Sequence, residues 1–409
     1  MPQYLPKVAE KGLFFSIYTL LMNLLAFTNV LFLRQMATME NNIINDKITD
    51  LAYSIQESLQ RYKQGEESAT QFDSLVYEIV ANSHIHNSWF VPSQMLFAID
   101  LFVSDLQYIT NNNLISQLND IVAAGSLEKD IQEDINAELN KQHQNNFSRK
   151  LACLLRTEAP FEGIALLLLL SASGYECTIK VEARLQHLLK NILALIELKF
   201  NKQFKISQTE SRFNEIGALL AFADLGETAK EYFEKYQTLQ LFSKGKSYII
   251  NGSESDDLLN AIATMICMYF GRGENSIKVL FITEHYNMER LKAALEKYSD
   301  LLLNNRYYNN YEYRKSAMII NHLDYSEIGP LLITNNANQA GYTSVLCIQE
   351  YREIHEIFSN KLIDQYPLIN SIENAPNSGY TYLSLSTFLN SYHKVAPFIR
   401  ELHARRAEL

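Results

Sequence analysis

The sequence predicts an α/β plus all-α fold: helical N-terminal and middle regions, then a C-terminal α/β domain with a largely parallel sheet. Three observations predict it. Glycine and proline are scarce, 14 and 8 in 409 residues, which favours long helices over frequent turns. Up to about residue 240 the apolar residues recur at helical spacing. After residue 244 short β-rich runs alternate with helical stretches, the pattern of βαβ units.

Gly12 to Leu33 is a run of 22 residues without a charge, bracketed by Lys11 and Arg34. That length spans a bilayer as a helix, so residues 1–36 are expected to anchor the chain. No small-x-small cleavage site follows, which disfavours a signal peptide. The competing expectation is a core helix, since Asn23 and Asn29 interrupt the run. Residues 37–146 read as helices and a linker. Leu51, Ile55 and Leu59 fall on one helical face, Pro92 opens a helix with Ser88 as candidate cap, and 126–146 is polar.

Residues 147–240 read as a helical domain. Gly163 to Ala172 is apolar all round and belongs in a core. A second helix carries Leu185, Leu188, Leu189, Ile192 and Ile196, and a third carries Ile216, Leu219, Leu220 and Ala223. Residues 241–409 read as α/β. Strands are expected at Ser247–Asn251, Lys278–Thr283, Ala317–Asn321 and Ser344–Gln349, with helices at Leu258–Phe270 and Met288–Leu303. The Asn/Tyr-rich stretch Asn304–Tyr313 reads as a solvated connection.

Chemistry is hard to find. The Lys244-Gly245-Lys246-Ser247 triplet has Gln240 where a phosphate loop needs glycine, and it enters a strand rather than leaving one. His84 and His86 lack a third ligand at zinc-like spacing, so two ordinary histidines near Trp89 is the better reading. No G-x-S-x-G, H-E-x-x-H or G-x-G-x-x-G occurs. Cys153, Cys177, Cys267 and Cys347 sit among apolar neighbours without C-x-x-C pairing, as buried thiols do in a reducing compartment. A net charge of −10 disfavours nucleic acid as a partner. Against that background Lys180, Arg184, Lys190, Lys199, Lys202 and Lys205 face only Glu182 and Glu197 in the same stretch, a candidate surface for acidic partners. The bland alternative is a solvated helix face.

The segment Ala317-Met-Ile-Ile-Asn-His-Leu-Asp, with Gly341 and Ser344-Val-Leu-Cys-Ile-Gln349, resembles the TraD/TraG-type coupling ATPases of type IV secretion, the DotL/TrbC branch in particular. More faintly, Phe147 to about Tyr236 is similar to the helical DotM/TrbA domain. That resemblance implies a degenerate RecA-like domain, in which Asn321 and His322 stand where two acids would hold Mg²⁺, with Gly341 and Gln349 matching by position. It implies a non-catalytic pseudo-ATPase subunit without cofactor or metal, at the cytoplasmic face of the inner membrane, binding other secretion subunits and acidic secreted proteins. Two rivals remain: a secreted effector or enzyme whose site is unrecognised, and a soluble structural adaptor.

Overall fold

The computed structural model describes residues 39–121, 149–200, 204–209, 213, 216–225, 230–231, 233–369 and 388–404. The anchor expectation at Gly12–Leu33, the polar 126–146 stretch and Lys202 lie outside the described residues.

The described chain begins with a helical layer. Helix α1 covers 39–63 and buries Ile48, Leu51, Ile55 and Leu59, the face that their spacing predicts. Helix α2 (Gln71–His86) opens with a capping box between Thr70 and Asp73. Asp73 is fully buried and takes hydrogen bonds from Ser58, Arg61 and Thr70. Burial pushes its carboxyl up, but those hydrogen bonds prevail and hold it at about 2. Helix α3 (Pro92–Asn111) has Pro92 in its first turn, as expected; its N-cap is Val91, not Ser88. Helix α4 covers 114–121.

A five-stranded parallel sheet follows. Its strands are β1 (Lys150–Leu155), β2 (Glu176–Val181), β3 (Ile206–Gln208), β4 (Ala218–Phe222) and β5 (Gln237–Gln240), in the order β3-β2-β1-β4-β5. Helix α5 (Ile164–Ala172) connects β1 to β2 and buries eight successive residues, because neighbouring elements enclose it. Helix α6 (Ala183–Phe200) buries one stripe of leucines and isoleucines that ends in Phe200. The expected all-helical middle domain is therefore corrected: this region is doubly wound α/β. The run Ala-Leu-Leu-Ala-Phe is a strand rather than a third helix, buried on both faces and so without a period to read.

The second sheet has the order β6-β7-β10-β9-β8. Strands β6 (Lys246–Ile250), β7 (Ile277–Thr283), β10 (Val345–Tyr351) and β9 (Leu331–Thr334) run parallel, and β8 (Ser326–Ile328) adds an antiparallel edge. Helix α7 (Asp256–Cys267) is capped by Ser255 and joins β6 to β7; α8 (Glu289–Glu296) and α9 (Asn305–Ile320) follow β7. Short helices α10 (Ile354–Phe358) and α11 (Leu362–Gln365) follow β10. Helix α12 (Phe388–Ala404) returns to the first sheet, where His403 meets the Tyr175 hydroxyl at 2.7 Å.

The expected strand at Ala317–Asn321 does not exist. Those residues end helix α9, which starts at the Asn304 cap and buries Tyr307, Tyr311 and Met318. Ile319 and Ile320 are exposed. Asn321 caps this helix and His322 turns away from it with φ +52°. Neither ends a central strand, so the positions likened to an acidic nucleotide-site pair are a helix terminus. Gly341 packs against Tyr366 and Gln349 donates to the Asn335 carbonyl at 2.7 Å.

Candidate functional site

The first sheet reverses its winding direction at β1, whose neighbours are β2 on one side and β4 on the other. In open α/β sheets a crevice forms at the carboxyl ends of the strands at such a point. Arg156 follows β1 and its amide donates to the Phe222 carbonyl at the end of β4, 3.0 Å away. Its side chain reaches across to Glu182, the residue after β2. Arg184 donates from Nε to Glu182 at 2.7 Å and grips Glu158 with two bonds of 2.9 Å. Arg272, which precedes β7, completes the chain with a 2.8 Å contact to Glu158. Burial alone would raise Glu158; the two guanidiniums outweigh it and hold this carboxyl below its ordinary value. Five charged side chains thus link the tips of β1 and β2 to the second sheet.

The loop from β1 into α5 is unusually bent. Phe161 and Gly163 both have positive φ, +62° and +78°. A Cβ on Gly163 would lie 3.1 Å from the Phe222 ring and 3.2 Å from Leu155, so only glycine lets the helix start this close to β1 and β4. The bend turns Glu162 inward, where Thr157 bonds it. Glu162 meets Glu274 from the loop before β7, and both are more than nine-tenths buried. Burial and then the Glu162 charge push the Glu274 carboxyl up to about 10, against the Ser243 amide at 3.3 Å and the Lys246 charge. Lys246 is lowered by burial and by Lys394. Nearby, Lys278 is almost fully buried and donates to the Gly271 carbonyl; burial and Arg272 bring it down to about 8. The turn that presents this carbonyl is strained, with Tyr269 and Phe270 at φ +53° and +57°. A cavity of about 30 Å³, room for one water, lies beside Glu162, Asp105, Tyr269 and Ser391.

All four cysteines are buried within elements: Cys153 in β1, Cys177 in β2, Cys267 in α7 and Cys347 in β10. Burial raises Cys153, Cys267 and Cys347 alike. His84 and His86 lie in the last turn of α2, where His86 stacks on His187 with ring centres 3.9 Å apart. Among the described residues no group of three or more His, Cys, Asp or Glu is placed to hold a metal.

The basic stretch is dispersed. Lys180 is on β2 and Lys190 on α6 beside Gln186 and His187; Arg184 belongs to the network above; Lys199 pairs with Asp50 and Lys205 with Glu176. Sequence reasoning missed Arg156, Glu158, Glu162, Arg272 and Glu274, which come from segments more than a hundred residues apart. One signal was present: a polar Arg-Thr-Glu directly after the apolar run Leu151–Leu155, as loops at strand tips require.

No sequence family matches the chain, and no curated protein matches it. Solved structures do. Succinic semialdehyde dehydrogenase from Streptococcus pyogenes, determined with NADP+, is similar at TM-score 0.51 and 9% identity over 77% of this chain and 74% of that one. The indole-3-acetaldehyde dehydrogenase AldA of P. syringae, a mutant form determined with NAD+ and IAA, is similar at TM-score 0.51 and 8% identity over 84% and 74%. These likenesses overturn the coupling-complex resemblance and the RecA-like fold. The expectation of a non-catalytic subunit rested on a degenerate nucleotide site in that fold, and it falls with it. The inner-membrane location that the same resemblance implied falls with it; among the described residues, which do not include Gly12–Leu33, no helix is long and apolar enough to cross a membrane. The two sheets and their joint have the fold of the aldehyde dehydrogenases.

Proposed function

We propose that the chain is an oxidoreductase that holds a nicotinamide dinucleotide at the carboxyl edge of the first sheet and acts on a carbonyl compound or its alcohol at the joint between the sheets. One observation carries the reading: the strand order reverses at β1, so the tips of β1, β2 and β4 border the crevice where such folds bind dinucleotides. The residues there suit the group. Arg156, Arg184 and Arg272 outnumber their partners Glu158 and Glu182 by one, which leaves a net positive charge at a place where phosphates need countercharge. The enzymes named above, solved with NADP+ and with NAD+, support it.

A bound nicotinamide supplies or accepts a hydride. The protein's share is the proton. Glu274 keeps its proton at neutral pH, beside Glu162 and within the field of Lys246, and a neutral carboxyl can donate to a carbonyl oxygen. The acid–base work is assigned to the carboxyl pair. Titration calorimetry with NAD+, NADH, NADP+ and NADPH tests the reading. Micromolar binding of one of them is expected; no heat with all four sinks it.

A further inference from the structure

We propose that Lys246 is a nucleophilic amine that captures a small aldehyde or ketone as an imine, with Glu274 handling the protons. This rests on the reading above only for the class of substrate, and it adds a covalent step that needs no dinucleotide.

The turn Lys244-Gly245-Lys246 leads into β6, and two bonds hold it against the loop before β7. The Ser243 amide donates to the Glu274 carboxyl at 3.3 Å, and the Lys246 amide donates to the Ser276 carbonyl at 2.9 Å. Lys246 therefore leaves the backbone beside the segment that carries Glu274. Gly245 has φ +127°, and a Cβ there would run into the Lys278 side chain, so only glycine closes the turn this tightly.

Three lysines of this region differ in what occupies them. Lys278 is almost fully buried and spends its amine on the Gly271 carbonyl. Lys244 is 62% exposed and lies 3.7 Å from Asp224. Lys246 is partly buried, and among the described residues its amine has no hydrogen-bond or ion-pair partner. Burial and then the charge of Lys394, on the exposed side of α12, disfavour its ammonium form; Glu274 alone opposes them, and that carboxyl keeps its proton up to about 10. A lysine desolvated beside a second cation is an activated nucleophile.

The Lys246 nitrogen attacks the carbonyl carbon while Glu274 gives its proton to the oxygen. The carboxylate so formed takes a proton from the nitrogen, which leaves a neutral carbinolamine. Glu274 then passes that proton to the hydroxyl, which departs as water as the nitrogen lone pair forms the C=N bond. The last N–H proton returns to the carboxylate. Amine and carbonyl become imine and water, Glu274 ends as it began, and water reverses the step.

The test treats the full chain with propanal and sodium cyanoborohydride, without any dinucleotide, and follows propylated lysines by peptide mass spectrometry. Lys246 is expected to be labelled about tenfold faster or more than Lys244, its exposed neighbour. Glu274→Gln cannot give up a proton, and Lys394→Gln removes the second cation from the protein's surface. Slower labelling of Lys246 in either variant, with Lys244 unchanged, ties the rate to these neighbours. Lys246 labelled no faster than Lys244, or at the same rate in both variants, overturns the inference and leaves the hydride reading standing. Capture at Lys246 without binding of any nicotinamide dinucleotide ends that reading and leaves this one.

Discussion

Glu162 and Glu274 meet across the joint between the two sheets, one from the loop that starts α5, the other from the loop that leads into β7, and burial with the Glu162 charge pushes the Glu274 carboxyl up to about 10. Two buried carboxyls in contact cannot both ionise, so the pair holds one proton over most of the ordinary pH range.

That pair should make the protein weaken in alkali. An unfolded glutamate loses its proton near 4.5, whereas Glu274 in the fold keeps it up to about 10. Between those values the folded state binds the extra proton, so stability falls as pH rises. Glu274→Gln, which mimics the protonated form, should flatten the fall by roughly 1–3 kcal/mol between about pH 6 and 9. Thermal melts across that range check it, and parallel curves for the two proteins would refute it.

Asp73 should do the reverse at low pH. Its carboxyl sits at about 2 in the fold, below the ordinary 3.8. The stabilisation is complete above the ordinary value and drains away as pH falls through about 2. Asp73→Ala removes a helix cap and strands Ser58 and Arg61, so it should cost about 2–4 kcal/mol at neutral pH. Urea unfolding at about pH 7 and pH 3 measures both effects.

Gly163 and Gly65 separate backbone strain from crowding. Both have positive φ, +78° and +75°, but Gly65 has open space where Gly163 faces Phe222 and Leu155. Gly65→Ala should cost about 1 kcal/mol, and Gly163→Ala about 2–4 kcal/mol because the contact adds to the strain. Equal losses in Tm would show that Phe222 yields freely.

Arg272 ties the second sheet to the first through Glu158 and also stacks over Trp89, 4.3 Å from the ring centre. Trp89 is the sole tryptophan of the chain, so its fluorescence reports this contact directly. Arg272→Ala should shift the emission and lower stability by about 1–2 kcal/mol, with Arg306 remaining on the ring at 5.1 Å. An unchanged spectrum would mean that Arg272 does not rest on the ring in solution.

How much the sequence disclosed depended on whether burial was one-sided. Helix α6 buries a stripe and its leucines show it; β6, β7 and β10 are short apolar runs that polar or glycine-bearing turns set off. Where both sides are covered the period vanishes, so Ala218–Phe222 passed for helix. Ala317–Ile320 erred the other way, four apolar residues in a row at a helix end, two of them exposed. That single error supplied the supposed nucleotide site at Asn321. The joint itself was invisible, because Glu162 and Glu274 are 112 positions apart and gain meaning only when the sheets meet.

Helix α12 has a consequence for how the molecule comes to exist. Its Tyr392 bonds to Gln117, 275 positions earlier, and its His403 to Tyr175, 228 positions earlier. A chain emerging from the ribosome therefore finishes the first sheet long before the helix that covers part of it has been made. Contacts of such long range form late and slowly, and the waiting apolar surface is prone to stick to other chains. Synthesis that stalls before Phe388 should leave a product that seeks chaperones, even though both sheets are already complete in sequence.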